Sequence, residues 1–273
     1  MPLYSDKRKK NEPKFRLSFV LLFVFASFAV CFALYMREEM PEAPTAPADG
    51  TVIINDMAEY EVTSVPGGYA GQDINPVKEC LKLDSSYLDS CMFAGDSLTV
   101  GLGSYGFIPE SRIAAGIGMS VMSICSSPLT QADGSEILAA DKINAAAPDN
   151  LYILLGLNMM ESFTDEQLLA AYGDFIDSID RTATTVYVIS VPPVTSERET
   201  DIEKPILNSN IDRFNSDLLK FANDRGLYYL DFNSALRNSE GVFDPELAEE
   251  DGIHFKKAAY EVFLDYILTH VVQ

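Results

Sequence analysis

Side chains that could hold a metal are scarce in this chain. It has two histidines and four cysteines in 273 residues. Cys31, Cys80, Cys91 and Cys125 show no CxxC spacing, and so few histidines stand ready to join them that the sequence speaks against a zinc site. No organic-cofactor fingerprint and no internal repeat is present. Positive charge is scarce as well, with 20 Lys and Arg against 41 Asp and Glu. Residues 1–40 hold 7 basic and 4 acidic side chains, which leaves 13 basic against 37 acidic, a net of −24, in residues 41–273. A surface this acidic repels nucleic acid and anionic lipid headgroups, so a nucleic-acid partner is excluded. It names no substrate, and a solubilising surface accounts for it. Export would permit one disulfide among Cys80, Cys91 and Cys125 and leave one thiol free; three buried thiols fit the sequence equally well.

One segment lacks charge altogether. Leu17–Met36 (LSFVLLFVFASFAVCFALYM) is twenty residues long, and as a helix it spans about 30 Å, the thickness of a bilayer's hydrocarbon core. The preceding residues, KRKKNEPKFR, are strongly basic and the following REEMPE is not, which puts the N-terminus in the cytoplasm and residues 37–273 outside. A cleaved signal peptide would have a shorter apolar region and a small-residue cleavage site close behind it. Ala46-Pro47-Ala48 is the nearest candidate and sits ten residues past Met36. The expected organisation is a basic cytoplasmic tail (1–16), a transmembrane helix (17–36), an extracytoplasmic linker rich in Pro, Ala, Gly and acids (37–75), and a single domain (76–273). Thr51–Asn55 is a short extended piece within the linker.

From about Asn75 short apolar runs alternate with amphipathic stretches. The runs are Cys91–Ala94, Arg112–Ala115, Leu151–Leu155, Thr185–Val191 and Leu227–Asp231. They are too short for helices, and their continuous apolar character suits strands buried on both faces of a parallel sheet. Helical stripes lie between them: Leu168, Tyr172, Phe175, Ile176 and Ile179 form one, and Ile211, Phe214, Asn215 and Leu218 another. This alternation predicts an α/β fold, a doubly wound sandwich with five parallel strands. In such sheets the chemistry sits at the carboxyl ends of the strands.

The residues just past each strand are therefore informative. After the first comes Gly95-Asp96-Ser97-Leu98. A serine at the start of a helix is well placed as a nucleophile, since its own N–H and the helix N-terminus favour developing negative charge. Gly95 would permit the tight turn, although a serine cap beside a glycine turn is just as common. After the second comes Gly116-Ile117-Gly118-Met119, where a glycine N–H could face an oxyanion. After the third comes Gly156-Leu157-Asn158, whose amide is a suitable oxyanion donor, or an Asx turn or cap. Near the C-terminus stands Asp251-Gly252-Ile253-His254. Its spacing lets the carboxylate reach the imidazole Nδ1 and leaves Nε2 free as a base. His270, the other histidine, falls in the last helical stretch as a surface residue.

These four blocks, in this order, resemble the SGNH/GDSL hydrolase family, in its membrane-anchored bacterial type. The first block is Phe93–Leu98, the second Gly116–Met119, the third Gly156–Asn158 and the last Asp251–His254. The helix from Asn210 to Leu218 and the strand Tyr229–Asp231 look like the family's later elements. The likeness spans roughly residues 88–270. It implies a flavodoxin-like three-layer α/β/α sandwich and a carboxylic ester hydrolase. Ser97 would be the nucleophile, His254 the base and Asp251 its partner, with an oxyanion hole of the Ser97 and Gly118 N–H groups and the Asn158 amide. Gly116 is the alternative to Gly118. Neither metal nor organic cofactor is implied. One departure stands out: the family often has Asp after the third-block Asn, and Met159 occupies that position here, making the rim apolar. The expected activity is an extracytoplasmic esterase acting on acyl esters, O-acetyl groups of glycans first among them. A small-molecule or glycan ester is its substrate, and the membrane is met through the N-terminal helix. The alternatives are an O-acyltransferase with the same triad, a lipase or lysophospholipase, and a non-catalytic surface binding module.

Overall fold

A computed structural model describes residues 74–272. The expected tail, the membrane helix at 17–36 and the linker up to residue 73, including 51–55, lie outside the described residues. Among the described residues no helix is long and apolar enough to cross a membrane.

After a short 3-10 turn at Ser85–Ser90, the elements run β1 (Cys91–Gly95), α1 (Ser97–Ser104), β2 (Ile113–Ala115), β3 (Leu129–Thr130), β4 (Glu136–Ile137) and α2 (Ala139–Ala146). They continue with β5 (Asn150–Leu154), α3 (Asp165–Asp177), β6 (Thr185–Ile189), α4 (Ser196–Glu199), α5 (Asn208–Asp224), β7 (Tyr228–Leu230), α6 (Phe232–Ala235) and α7 (Lys257–Thr269). Five strands form one parallel sheet in the order β2-β1-β5-β6-β7. These are the five runs expected from the sequence, and the α/β sandwich is present. The chain leaves β1 for β2 on one side and then crosses to β5 on the other. The loops after β1 and β5 therefore part, and a crevice opens at their carboxyl ends.

The strands are apolar on both faces because both faces are covered. Met92, Ala94, Leu151, Ile153 and Val188 pack with α3 and α5 in one core. Phe93, Tyr152, Tyr187 and Ile189, which alternate with them, pack with α1 and α7 in the other. Phe93, Tyr152, Tyr187 and Tyr228 are register partners on four adjacent strands. Their rings meet with centroids 5.5, 4.6 and 5.2 Å apart, an aromatic ladder across the sheet.

The helices are held at their ends. Thr164 and Gln167 form a reciprocal capping box at the start of α3. The first helical residue, Asp165, takes a two-pronged ion pair from Arg213 of α5, with Nε 2.6 Å from Oδ2. At the sheet's edge, Asn75 and Val77 hydrogen-bond to β7 residue Tyr229, so the segment expected to be linker is joined to the domain from Asn75 onward. All three cysteines of the domain are free. Burial pushes the Cys91 thiol up to about 12, as expected of an inert packing thiol.

Candidate active site

Ser97 begins α1 directly after β1, half-buried at the carboxyl end of the sheet. The preceding Asp96 caps the helix, its Oδ1 accepting from Leu98 N at 2.9 Å. A tight turn is the role the sequence suggests for Gly95. The reason for glycine is instead close packing: a Cβ there would sit 2.1 Å from Thr99 Oγ1 and 2.4 Å from the Leu154 carbonyl. Only a bare backbone lets α1 start this close to the sheet, and that fixes where the Ser97 hydroxyl emerges.

His254 reaches the same place from the other end of the chain. Its Nε2 lies 2.9 Å from Ser97 Oγ, and its Nδ1 lies 2.5 Å from Asp251 Oδ2. With the ring proton on Nδ1, Nε2 accepts from the serine hydroxyl. Asp251 Oδ1 accepts the backbone N–H groups of Ile253 and His254, both at 3.0 Å. Burial would raise the Asp251 pKa. The hydrogen bond from the His254 ring, the two backbone donors and the imidazole's charge outweigh it, and the carboxyl stays below its usual range. Both side chains remain open to solvent, Asp251 at 47 % and His254 at 43 % exposed.

The loop carrying this pair is pinned by residues that sequence reasoning passes over. Asn215 and Asn208 on α5 turn their amides onto the strand-like segment after β6. Asn215 accepts from Val191 N and donates to Val191 O; Asn208 does the same with Val194. Thr195 N then donates to the Gly252 carbonyl at 3.1 Å, between Asp251 and His254. Gly252 has φ +71°, and a Cβ on it would meet Thr195 Oγ1 at 2.4 Å. The sequence signal for Gly252 is the Asp-Gly pair itself; for Asn215 it is a polar residue in an apolar stripe.

The proposed oxyanion donors come to the same crevice. Gly118, in a turn after β2, has φ +72° and open space where a side chain would be. Its N–H makes no hydrogen bond among the described residues, whereas Gly116 N donates to Gly95 O at 3.3 Å and so extends the sheet. Asn158 Nδ2 donates to Met119 O at 2.8 Å and weakly to Asp96 Oδ2 at 3.4 Å. The loops after β1, β2 and β5 are thereby tied together through this one amide. Asp96 is 2 % exposed, and burial drives its pKa up to about 6 despite the Leu98 N–H and the charge of His254. Near it lie two buried hydroxyls, Thr99 Oγ1 and Tyr172 Oη, without a partner among the described residues. Met159 is 46 % exposed and takes a left-handed φ of +74°, an uncommon backbone for a non-glycine residue and a mark of constraint beside a site. His270 is half-buried, not simply on the surface, because its ring stacks on Tyr266 at 3.7 Å. It stands at the C-terminal end of α7. Among the described residues no group of three or more His, Cys, Asp or Glu side chains is arranged to hold a metal ion.

Comparison with known proteins agrees with this architecture. The sequence profile of the GDSL-like Lipase/Acylhydrolase family matches residues 93–262, from β1 into α7. Among solved structures, a Streptococcus pneumonia protein provisionally described as a platelet activating factor is 18% identical, with a TM-score of 0.52 over 65% of this chain and 81% of its own. A GDSL-like lipase from Bacteroides thetaiotaomicron is 13% identical, with a TM-score of 0.51 over 65% and 84%. At such identities the likeness is one of fold. No curated protein matches the sequence. The family profile covers well over half of the chain, and the protein belongs to the GDSL-like lipase/acylhydrolase family.

Proposed function

We propose that the protein is a membrane-anchored serine esterase whose domain works outside the cell and removes acyl groups, O-acetyl groups above all, from glycans. The observation that carries the reading is the continuous hydrogen-bonded line from Ser97 Oγ to His254 Nε2 and from His254 Nδ1 to Asp251, at 2.9 and 2.5 Å. In the reaction, Ser97 Oγ attacks the ester carbonyl as His254 takes its proton, and the ionised Asp251 stabilises the imidazolium. The carbonyl oxygen, now negative, is met by the N–H groups of Ser97 and Gly118 and by the Asn158 N–H that gives up its long 3.4 Å contact with Asp96. Each such donor is worth about 3–4 kcal/mol of barrier. Collapse expels the alcohol, which takes the proton from His254. Water, activated by the same imidazole, then frees the acid and Ser97.

The glycan and its O-acetyl groups are supported by the location inferred from residues 17–36 and their basic flank. The test uses the full chain in detergent micelles with p-nitrophenyl esters of increasing acyl length, beside Ser97→Ala. The expected result is fastest turnover of the acetate and loss of it in the variant. Equal rates in the two proteins would remove Ser97 from the mechanism, and a preference for long chains would favour a lipase.

A further inference from the structure

A cavity of about 320 Å³ opens beside Gly118, between the turn after β2 and the segment that leads into β3. We propose that it receives the alcohol half of the substrate, and that it selects an uncharged, hydroxyl-bearing ring, a neutral sugar residue, over a hydrocarbon chain or an anion. The inference rests on the esterase reading, because the cavity shares Gly118 with the oxyanion donors. The cavity borders the turn that carries Gly118 and Met119, so one substituent of an ester held there can extend into it. An acetyl methyl is far too small to fill a space with room for on the order of ten waters, so the larger half belongs here.

The lining chooses among larger halves. Three hydroxyl side chains, Ser123, Ser127 and Thr130, line it, and no charged side chain contributes. The hydroxyls of Ser127 and Thr130 make no hydrogen bond among the described residues, whereas Ser123 Oγ is already engaged by Ser120 N at 3.0 Å. A hydrocarbon chain would cover Ser127 and Thr130 without giving them partners, which is unfavourable. An anion would find no cation, on a chain whose net charge is −21. A neutral polyol satisfies both hydroxyls, and its C–H faces rest against Met119 and Leu129. Ile117, 85 % exposed, forms an apolar lip at the mouth. Discrimination here comes from hydrogen bonds, so it is read chiefly in KM.

The test holds the acyl group constant. Acetate release by the full chain is measured from ethyl acetate and from a mono-O-acetylated methyl glucoside, for the parent, Ser127→Leu and Thr130→Val. The parent should favour the sugar ester by about tenfold or more in kcat/KM. Ser127→Leu, which narrows the cavity and removes one hydroxyl, should cost the sugar ester about tenfold, and Thr130→Val, which removes one hydroxyl without changing size, should raise its KM several-fold. Ethyl acetate turnover should stay within about twofold in both variants, which also shows that they are folded. Equal cleavage of both esters by the parent, or equal losses on both in the variants, overturns the assignment of the cavity while leaving the esterase reading intact. Selective loss on a long-chain acyl ester in Ser127→Leu overturns it too, by giving the cavity to the acyl half. Cleavage of neither ester by the parent brings down the esterase reading and this proposal together.

Discussion

Two carboxylates flank the proposed reactive centre and are held in opposite ways. Asp96, buried at the end of β1, has one good backbone donor and a long contact to the Asn158 amide, and burial lifts its pKa to about 6. Asp251, on a loop with half its side chain in solvent, gathers the His254 ring and two backbone N–H groups and stays ionised below its usual range. Nearness to the site does not decide the charge of a carboxyl; the number of donors it can gather against its burial does. The exposed one is fit to balance an imidazolium. The buried one is scaffolding, holding the start of α1 and steadying Asn158 at a cost in stability when it ionises.

Ser97→Ala should lower ester hydrolysis by about 10⁴-fold or more with little change in melting. Asp251→Asn should come next, with a loss of roughly 10³–10⁴ in kcat, because an amide favours the wrong imidazole tautomer. The buried partner should behave differently. Asp96→Asn keeps the helix cap and should cost activity far less, while raising stability at pH 8 by up to about 3 kcal/mol. The unfolded chain releases this proton near pH 3.8 and the folded chain near 6. Between those values the folded chain binds more protons, so Asp96 makes stability fall as pH rises, and above about 6 the penalty is complete. The gain in Asp96→Asn should therefore shrink as pH drops from 6 toward 4 in urea titrations; a gain independent of pH would mean that Asp96 carries no such strain. For Asp251 the sign reverses. Its contribution is present above pH 3.8 and is lost as pH falls through its lowered folded value.

Smaller effects are expected at two further positions. Gly252→Ala should cost about 1–3 kcal/mol of stability through its left-handed backbone and the clash with Thr195, and lower kcat by shifting His254. Tyr172→Phe removes a buried hydroxyl that lacks a partner, and thermal melts should show a change of less than about 1 kcal/mol or a slight gain. A loss of 2 kcal/mol or more would show that the hydroxyl is bonded.

The sheet is legible in the sequence because strands covered on both faces are continuous apolar runs, and the pattern needs only local residues. Strand ends are less visible. The run Thr185–Val191 leaves the ladder at Ile189, because Val191 is taken over by the side chains of Asn215 and Asn233, which no local pattern reveals. The β3–β4 hairpin has two residues per strand, too few for any periodicity. In the site, Asp251 and His254 are readable as a pair because they stand three residues apart. Ser97 and His254 are 157 apart, and only the resemblance of the four blocks joins them. The burial of Asp96, the seating of Asn158 on Met119 and the left-handed turn at Met159 depend on how three loops meet, and single-segment reasoning does not reach them.

Covalent capture tests whether Ser97 is a nucleophile activated by His254. The full chain is treated with a serine-directed fluorophosphonate and the adduct mapped by mass spectrometry. A single phosphonylated residue, Ser97, is expected, with no adduct in Ser97→Ala and labelling slowed by on the order of 10³-fold in His254→Ala. Labelling elsewhere in the domain, or unchanged labelling in Ser97→Ala, would contradict it.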